Sequence, residues 1–159
     1  MKRIILSCAL FLAVAATVFG ADAKKPADHG LFFPDKIQWM QAPNALPAGA
    51  KLAVLEGDPF KHELYTMRLS MPDGYRIPPH THTAAEHVTV ISGMFNLGMG
   101  GKFDAAAGTA MPPGTFGFLA PGMKHYAWAT GETVIQLSGM GPWTITYVSP
   151  ADDPRPKKK

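Results

Sequence analysis

The sequence predicts an all-β domain of the sandwich or barrel kind, and three observations carry that expectation. Leu64 to Met71 alternates strictly, with Tyr65, Met67, Leu69 and Met71 on one parity and Leu64, Thr66, Arg68 and Ser70 on the other. A period of two is that of a strand with one buried face. The chain carries 16 Gly and 15 Pro in 159 residues, so turns are frequent and elements short. No stretch of normal helix length keeps a 3.6-residue period, and no internal repeat is visible. The length suits one domain. A hydrophobic fraction of 47% against 17% charged residues supplies a core.

In chain order, residues 1–23 read as a secretory signal peptide. Lys2 and Arg3 form the basic start, Ile4 to Phe19 the apolar run, and Ala21-Asp22-Ala23 a small-x-small cleavage site, with cleavage after Gly20 as the alternative. The apolar run is short for a membrane span, so no stable anchor is expected after cleavage. Cys8 is the only cysteine, and it lies in the leader. The mature protein then has neither disulfides nor thiol chemistry, which suits a bacterial periplasm or secretion. Residues 24–50 hold Pro26, Pro34, Pro43 and Pro47 and no period. They read as an irregular arm with a short strand near Ile37 to Met40. Its large apolar residues Phe32, Phe33, Trp39 and Met40 are expected to pack on the barrel or on a second subunit, which makes a homodimer the expected assembly.

Residues 51–149 form the predicted β-domain. Lys51 to Glu56 is a strand ending at Gly57-Asp58-Pro59, and Leu64 to Met71 is the long strand described above. Pro72-Asp73-Gly74 is a turn. A strand follows to Gly93, and Phe95, Leu97 and Met99 alternate after it. Asp104 to Ala107 suits one helical turn, Met111 to Gly114 a proline turn, and Thr115 to Ala120 a short strand. His125 to Ala129 and Thr133 to Ser138 read as a hairpin around Thr130-Gly131-Glu132. Trp143 to Val148 is a last strand, with Trp143, Ile145 and Tyr147 on one face. Residues 150–159 form a basic, proline-rich tail expected to fray. The net charge of +3 comes from the leader and this tail, and the body between them is close to neutral. No basic stripe crosses the fold, so nucleic-acid binding has no support.

The chemistry is concentrated in Gly74 to Gly93, GYRIPPHTHTAAEHVTVISG. Ile77 and Pro78 each precede a proline and are pushed to extended backbone. His80 and His82, at i and i+2, then share a face. Glu86 keeps their parity together with Val88 and Val90, whereas His87 and Thr89 point the other way. A carboxylate on the apolar face is costly unless paired or bound to a cation. Downstream, Pro121-Gly122 turns the chain and delivers His125 at the start of HYAWA, where Ala127 and Ala129 share its face and leave space. Tyr126 and Trp128 then face outward, toward a second layer or subunit.

These two stretches resemble the cupin superfamily. Its first motif, G-x5-H-x-H-x3,4-E-x6-G, is met at Gly74, His80, His82, Glu86 and Gly93. Its second, G-x5-P-x-G-x2-H-x3-N, is met at Gly114, Gly122 and His125, with the proline one place late at Pro121 and Ala129 in place of the Asn. The resemblance spans roughly residues 52–148. It implies a jelly-roll β-barrel and one divalent transition metal per chain, bound by His80, His82, Glu86 and His125, with His87 the rival to Glu86. Three imidazoles and a carboxylate suit Fe, Mn, Ni, Cu or Zn, and no thiolate favours a softer ion. Thr81, Thr83, Thr89 or a backbone carbonyl is expected to hold the second nitrogen of each imidazole. Glu86, if it dissociates from the metal, is also the candidate proton acceptor. His29 and His62 read as surface residues. Arg68 reads either as part of a solvated outer face or as an anchor for a substrate carboxylate. Two functions follow: a dioxygenase-type oxidoreductase acting on a small chelating enol or phenol, or a non-catalytic, metal-dependent ligand-binding or sensing module.

Overall fold

The computed structural model describes residues 29–157. The expected signal peptide, Cys8 and the last two lysines lie outside the described residues. Nine strands form among the described residues: β1 (Met40–Gln41), β2 (Lys51–Glu56), β3 (Leu64–Met71), β4 (Arg76–Thr81), β5 (Glu86–Met99), β6 (Thr109–Met111), β7 (Phe116–Leu119), β8 (His125–Met140) and β9 (Thr146–Tyr147). The expected turn near Asp104 is a single 3-10 turn, Ala105–Ala107, capped by the Asp104 carboxylate accepting from the Ala106 N–H.

All pairings are antiparallel, and two long strands organise them. β5 and β8 pair from His87 opposite Ser138 to Met99 opposite His125. The first half of β5 lies between β7 and the second half of β8, and that sheet continues through β3 and β2 to β1. The second half of β5 lies between β6 and the first half of β8, and that sheet continues through β4 to β9. The two sheets therefore share two bent strands and curl around one core, as the expected jelly roll requires.

The bend sits where the β5–β8 register shifts, between Val90 and Met94. Gly93 and Gly131 have φ of 75° and 70° there. A Cβ on Gly93 would run into the Glu132 carbonyl oxygen and Thr133, so only glycine fits. Two expectations are corrected at this point. β5 does not end at Gly93, and residues 125–138 are not a hairpin but part of one 16-residue strand that passes through Gly131. A left-handed glycine marks a tight turn or a bulge equally well, and the partner strand decides which.

The inward faces follow the predicted parity. Tyr65, Met67, Leu69, Met71, Ala127, Ala129, Ile135 and Leu137 are all buried. Trp143, Ile145 and Tyr147 are buried together as expected, but only Thr146–Tyr147 joins the ladder. The arm does not pack its aromatics on its own barrel. Its strand is Met40–Gln41, and Phe32, Phe33, Trp39 and Met40 stay exposed. Leu46 and Ala50 enter the core instead. Their segment is tied down by its own backbone, with Ala42 N–H donating to Ala50 at 3.2 Å and Leu46 N–H to Pro43 at 2.9 Å. Tyr126 lies on the outer face, as its parity requires, but its own chain covers it. Its hydroxyl donates to the Asp104 carbonyl at 2.7 Å and its ring packs on Phe103. The tail is fastened as well: Arg155 pairs with Asp153 and donates to the Ile145 carbonyl at 3.2 Å.

Candidate metal centre

His80 lies in β4 and pairs across the ladder with His125 in β8. His82 follows β4 directly, and Glu86 opens β5 on the opposite sheet. The four side chains meet at one end of the core, between the sheets, and all four are buried. The imidazoles of His80, His82 and His125 bring three ligand nitrogens within 4.8 Å of one another. Glu86 Oε2 is 3.4 Å from His82 Nε2 and 3.8 Å from His125 Nε2. The β5 burial pattern keeps Glu86, Val88 and Val90 inside, as their parity predicted.

Each imidazole is oriented by a backbone carbonyl, which resolves the alternatives left open by the sequence. His80 Nδ1 donates to Pro78 at 2.7 Å, His125 Nδ1 to Met123 at 3.0 Å, and His82 Nδ1 to Thr144. A carbonyl only accepts, so every Nδ1 carries the proton and every Nε2 presents a lone pair. Local sequence sets two of these contacts. The β4–β8 register shifts between Ile77 and His80, where Pro78 and Pro79 have no N–H to give the ladder, and the Pro78 carbonyl is left for the imidazole. Gly122, with φ of 75°, turns the chain before His125 and donates its N–H to the His82 carbonyl at 2.8 Å. The two motifs are thereby tied together.

The electrostatics favour neutral rings at His80 and His125. Burial pushes His80 down to about 2, with the neighbouring His125 and His82 adding to the effect and the Pro78 carbonyl opposing it. Burial also lowers His125, against the pull of the Met123 carbonyl and Glu86. Neutral imidazoles with converging lone pairs beside one carboxylate form a donor set for a divalent cation. His82 Nε2 is fully buried and has no hydrogen-bond partner. An orphaned lone pair of this kind costs free energy unless a cation takes it, so the residues present fit a metal ion.

The remaining sequence candidates fall outside the site. His87 lies on the other face of β5, where Nδ1 is 3.3 Å from the Ser138 carbonyl and the ring stacks on Phe116. His29 and His62 are exposed, and neither belongs to the imidazole cluster. Arg68 donates through Nε to Gln136 Oε1 at 3.2 Å on the outer face of its sheet and does not line the cavity beside the imidazoles. Arg68 is half-buried there and stands apart from the imidazole cluster.

Sequence reasoning missed three residues. Trp143 donates Nε1–H to Glu86 Oε1 at 3.2 Å in the buried interior. Its inward parity with Ile145 was the available signal, because a buried indole N–H needs an acceptor. Thr144 supplies the carbonyl for His82, and its hydroxyl lies 2.8 Å from that of Thr83. Leu46 of the arm lines the cavity next to the imidazoles, a space of about 20 Å³ otherwise walled by Ile77, Val88, Leu119 and Trp143 among others.

Solved structures share this fold at low identity. A candidate acetylacetone dioxygenase from Methylibium petroleiphilum is 18% identical, with a TM-score of 0.60 over 84% of this chain and 90% of that one. The polyketide cyclase RemF from Streptomyces resistomycificus is 16% identical, with a TM-score of 0.61 over 79% and 89%. The anti-sigma ChrR in complex with SigE of Rhodobacter sphaeroides is 17% identical, with a TM-score of 0.50 over 67% of this chain and 51% of that one. At these identities the likeness is one of fold. No curated protein matches the sequence. Residues 28–144 match the ChrR cupin-like domain family, which is most of the chain and includes the whole imidazole cluster. The protein is therefore a cupin of the ChrR cupin-like family.

Proposed function

We propose that the protein is a metal-dependent oxidoreductase of the dioxygenase kind, acting on a small enol or phenol that chelates through two oxygens. One observation carries this reading, the lining of the cavity. Three imidazoles and one carboxylate stand at one end, and aliphatic and aromatic side chains form the rest. No Lys or Arg reaches the cavity among the described residues. A carboxylate ligand would lose its hydration there without gaining a protein cation. A neutral enol or phenol buries its carbon skeleton against Val88, Ile77 and Leu119 and keeps its oxygens at the imidazole end.

One divalent ion, Fe, Mn, Ni, Cu or Zn, held by His80, His82, Glu86 and His125, would supply Lewis acidity and, if redox-active, electron transfer. The protein's own part is orientation and proton handling. Backbone carbonyls lock the three rings. Trp143 occupies Oε1 of Glu86 and leaves Oε2 toward the imidazoles. Among the described residues Glu86 is the only carboxylate lining the cavity, and once dissociated from the metal it is the group to accept a substrate hydroxyl proton. The test is metal analysis of the purified protein followed by oxygen uptake with catechols, flavonols and 1,3-diketones. Metal-dependent uptake supports the enzyme.

A second reading, a metal-dependent sensing module, is favoured by the match to the ChrR cupin-like domain. Tight binding of a panel member without uptake supports that reading instead. We further propose export with removal of residues 1–23 and association as a homodimer. Exposed Phe32, Phe33, Trp39, Phe116 and Phe118 support the latter as apolar surface in need of cover. A monomeric mass by light scattering would remove the dimer.

A further inference from the structure

The cavity at the imidazoles is about 20 Å³, room for roughly one water. Sites that take small organic ligands are usually about 300–1,000 Å³. For any such ligand to reach the centre, a wall must move. Most walls cannot move without dismantling the site. β4, β5 and β8 carry His80, Glu86 and His125. Trp143 and Thr144 hold Glu86 and His82. β7 is laddered to β5 at Glu86, and β3, which carries Leu69, is laddered to β2 and β8 on its two sides. The exception is Leu46, which comes from the segment 42–50.

That segment is a compact loop closed at its neck by Ala42 N–H donating to Ala50. Two tyrosine hydroxyls fasten its tip. Tyr147 donates to the Ala45 carbonyl at 2.8 Å and Tyr75 to the Pro47 carbonyl at 2.5 Å, one on each side of Leu46. The Leu46 side chain is buried in the same core cluster as both tyrosines. Nothing in the loop holds an imidazole or Glu86. We infer that residues 42–50 are the entry gate of the metal centre, latched by Tyr75 and Tyr147, and that Leu46 sets the size of ligand that enters. The inference rests on the metal-centre reading above. The ligand class is the small, uncharged chelator proposed there, since the gate contributes a leucine and no charge to the wall.

Access can be measured with and without metal in the full chain. In the metal-free protein, diethyl pyrocarbonate acylates a neutral imidazole nitrogen. Every Nδ1 of the cluster is engaged, so reaction at Nε2 must proceed through the cavity. Peptide mass mapping follows His80, His82 and His125, with exposed His29 and His62 as references and half-buried His87 as a control for general loosening. In the zinc-loaded protein, release to excess EDTA is followed. Tyr75→Phe and Tyr147→Phe each remove one latch and keep the core volume, so both rates should rise about fivefold. Leu46→Ala should raise them about tenfold or more. Unchanged rates in the tyrosine variants overturn the gate, even if Leu46→Ala fails to fold. Acceleration of His87 equal to that of the cluster overturns it too, because the whole fold has then loosened. If the parent protein retains no zinc, the metal reading fails, and the acylation rates alone decide the gate.

Discussion

Replacing Trp143 by Phe tests the support of the centre rather than its ligands. The indole N–H donates to Glu86 Oε1 at 3.2 Å in a buried pair. Phe keeps most of the apolar contact and removes only the donor. A hydrogen bond to a charged group is worth about 1.5–3 kcal/mol. The same range follows from the metal side, where loss of a partner that orients a ligand costs about 10–100-fold in affinity, or about 1.4–2.7 kcal/mol. The two estimates agree because one bond is counted in both. The loss falls on metal binding, since the freed carboxylate rotates and must be ordered again when the ion arrives. Affinity is read by competition with a chelating dye at fixed pH, and stability of the metal-free protein by urea unfolding. Metal affinity within twofold of the parent would refute the claim that Trp143 orients Glu86. A loss of stability without a loss of affinity would assign it to packing alone.

Further outcomes follow from the same geometry. Glu86→Gln should weaken metal binding while sparing some, because an amide oxygen still coordinates, whereas His87→Ala should leave metal content unchanged; elemental analysis at one pH gives the reverse if the site uses His87. His80→Ala and His125→Ala should each remove most of the metal, as each deletes one donor from a different strand. The metal-free protein should lose stability as pH falls below about 6.5, by about 1.4 kcal/mol per pH unit for each imidazole held neutral. The sign follows from the lowered values of His80 and His125: the unfolded chain takes up protons that the folded one excludes, down to about 2 for His80. Urea midpoints equal at pH 7.5 and 5.5 would contradict this, and metal affinity should fall over the same interval as protons compete for the rings. Gly93→Ala should destabilise by about 2 kcal/mol or more in thermal unfolding, since it combines a left-handed backbone with a clash against Glu132.

The sequence alone determined whatever is encoded over a few residues. The alternation of Leu64 to Met71 placed β3 and its inner face, because side chains on a strand alternate whatever lies beside it. The Ile77-Pro78-Pro79 run kept the approach to His80 extended, and parity turned Glu86 inward and His87 outward. Two of the three orienting carbonyls, Pro78 and Met123, lie two residues before the histidine they hold. The cupin motifs were legible for the same reason, being short spacings on strands and turns. Tertiary structure alone decided the contacts that span the chain. Thr144 reaches His82 across 62 residues and Trp143 reaches Glu86 across 57. Leu46 comes from an arm with no period to read. Gly131 carried the signal of a turn and became the bend of one continuous strand, because β5 lay alongside to pair with both halves. The aromatics of the arm do not reach their own barrel for a related reason: hydrophobicity says that a side chain gains from burial, but only the register of the sheets and the tether of residues 42–50 fix which apolar residues can reach the core.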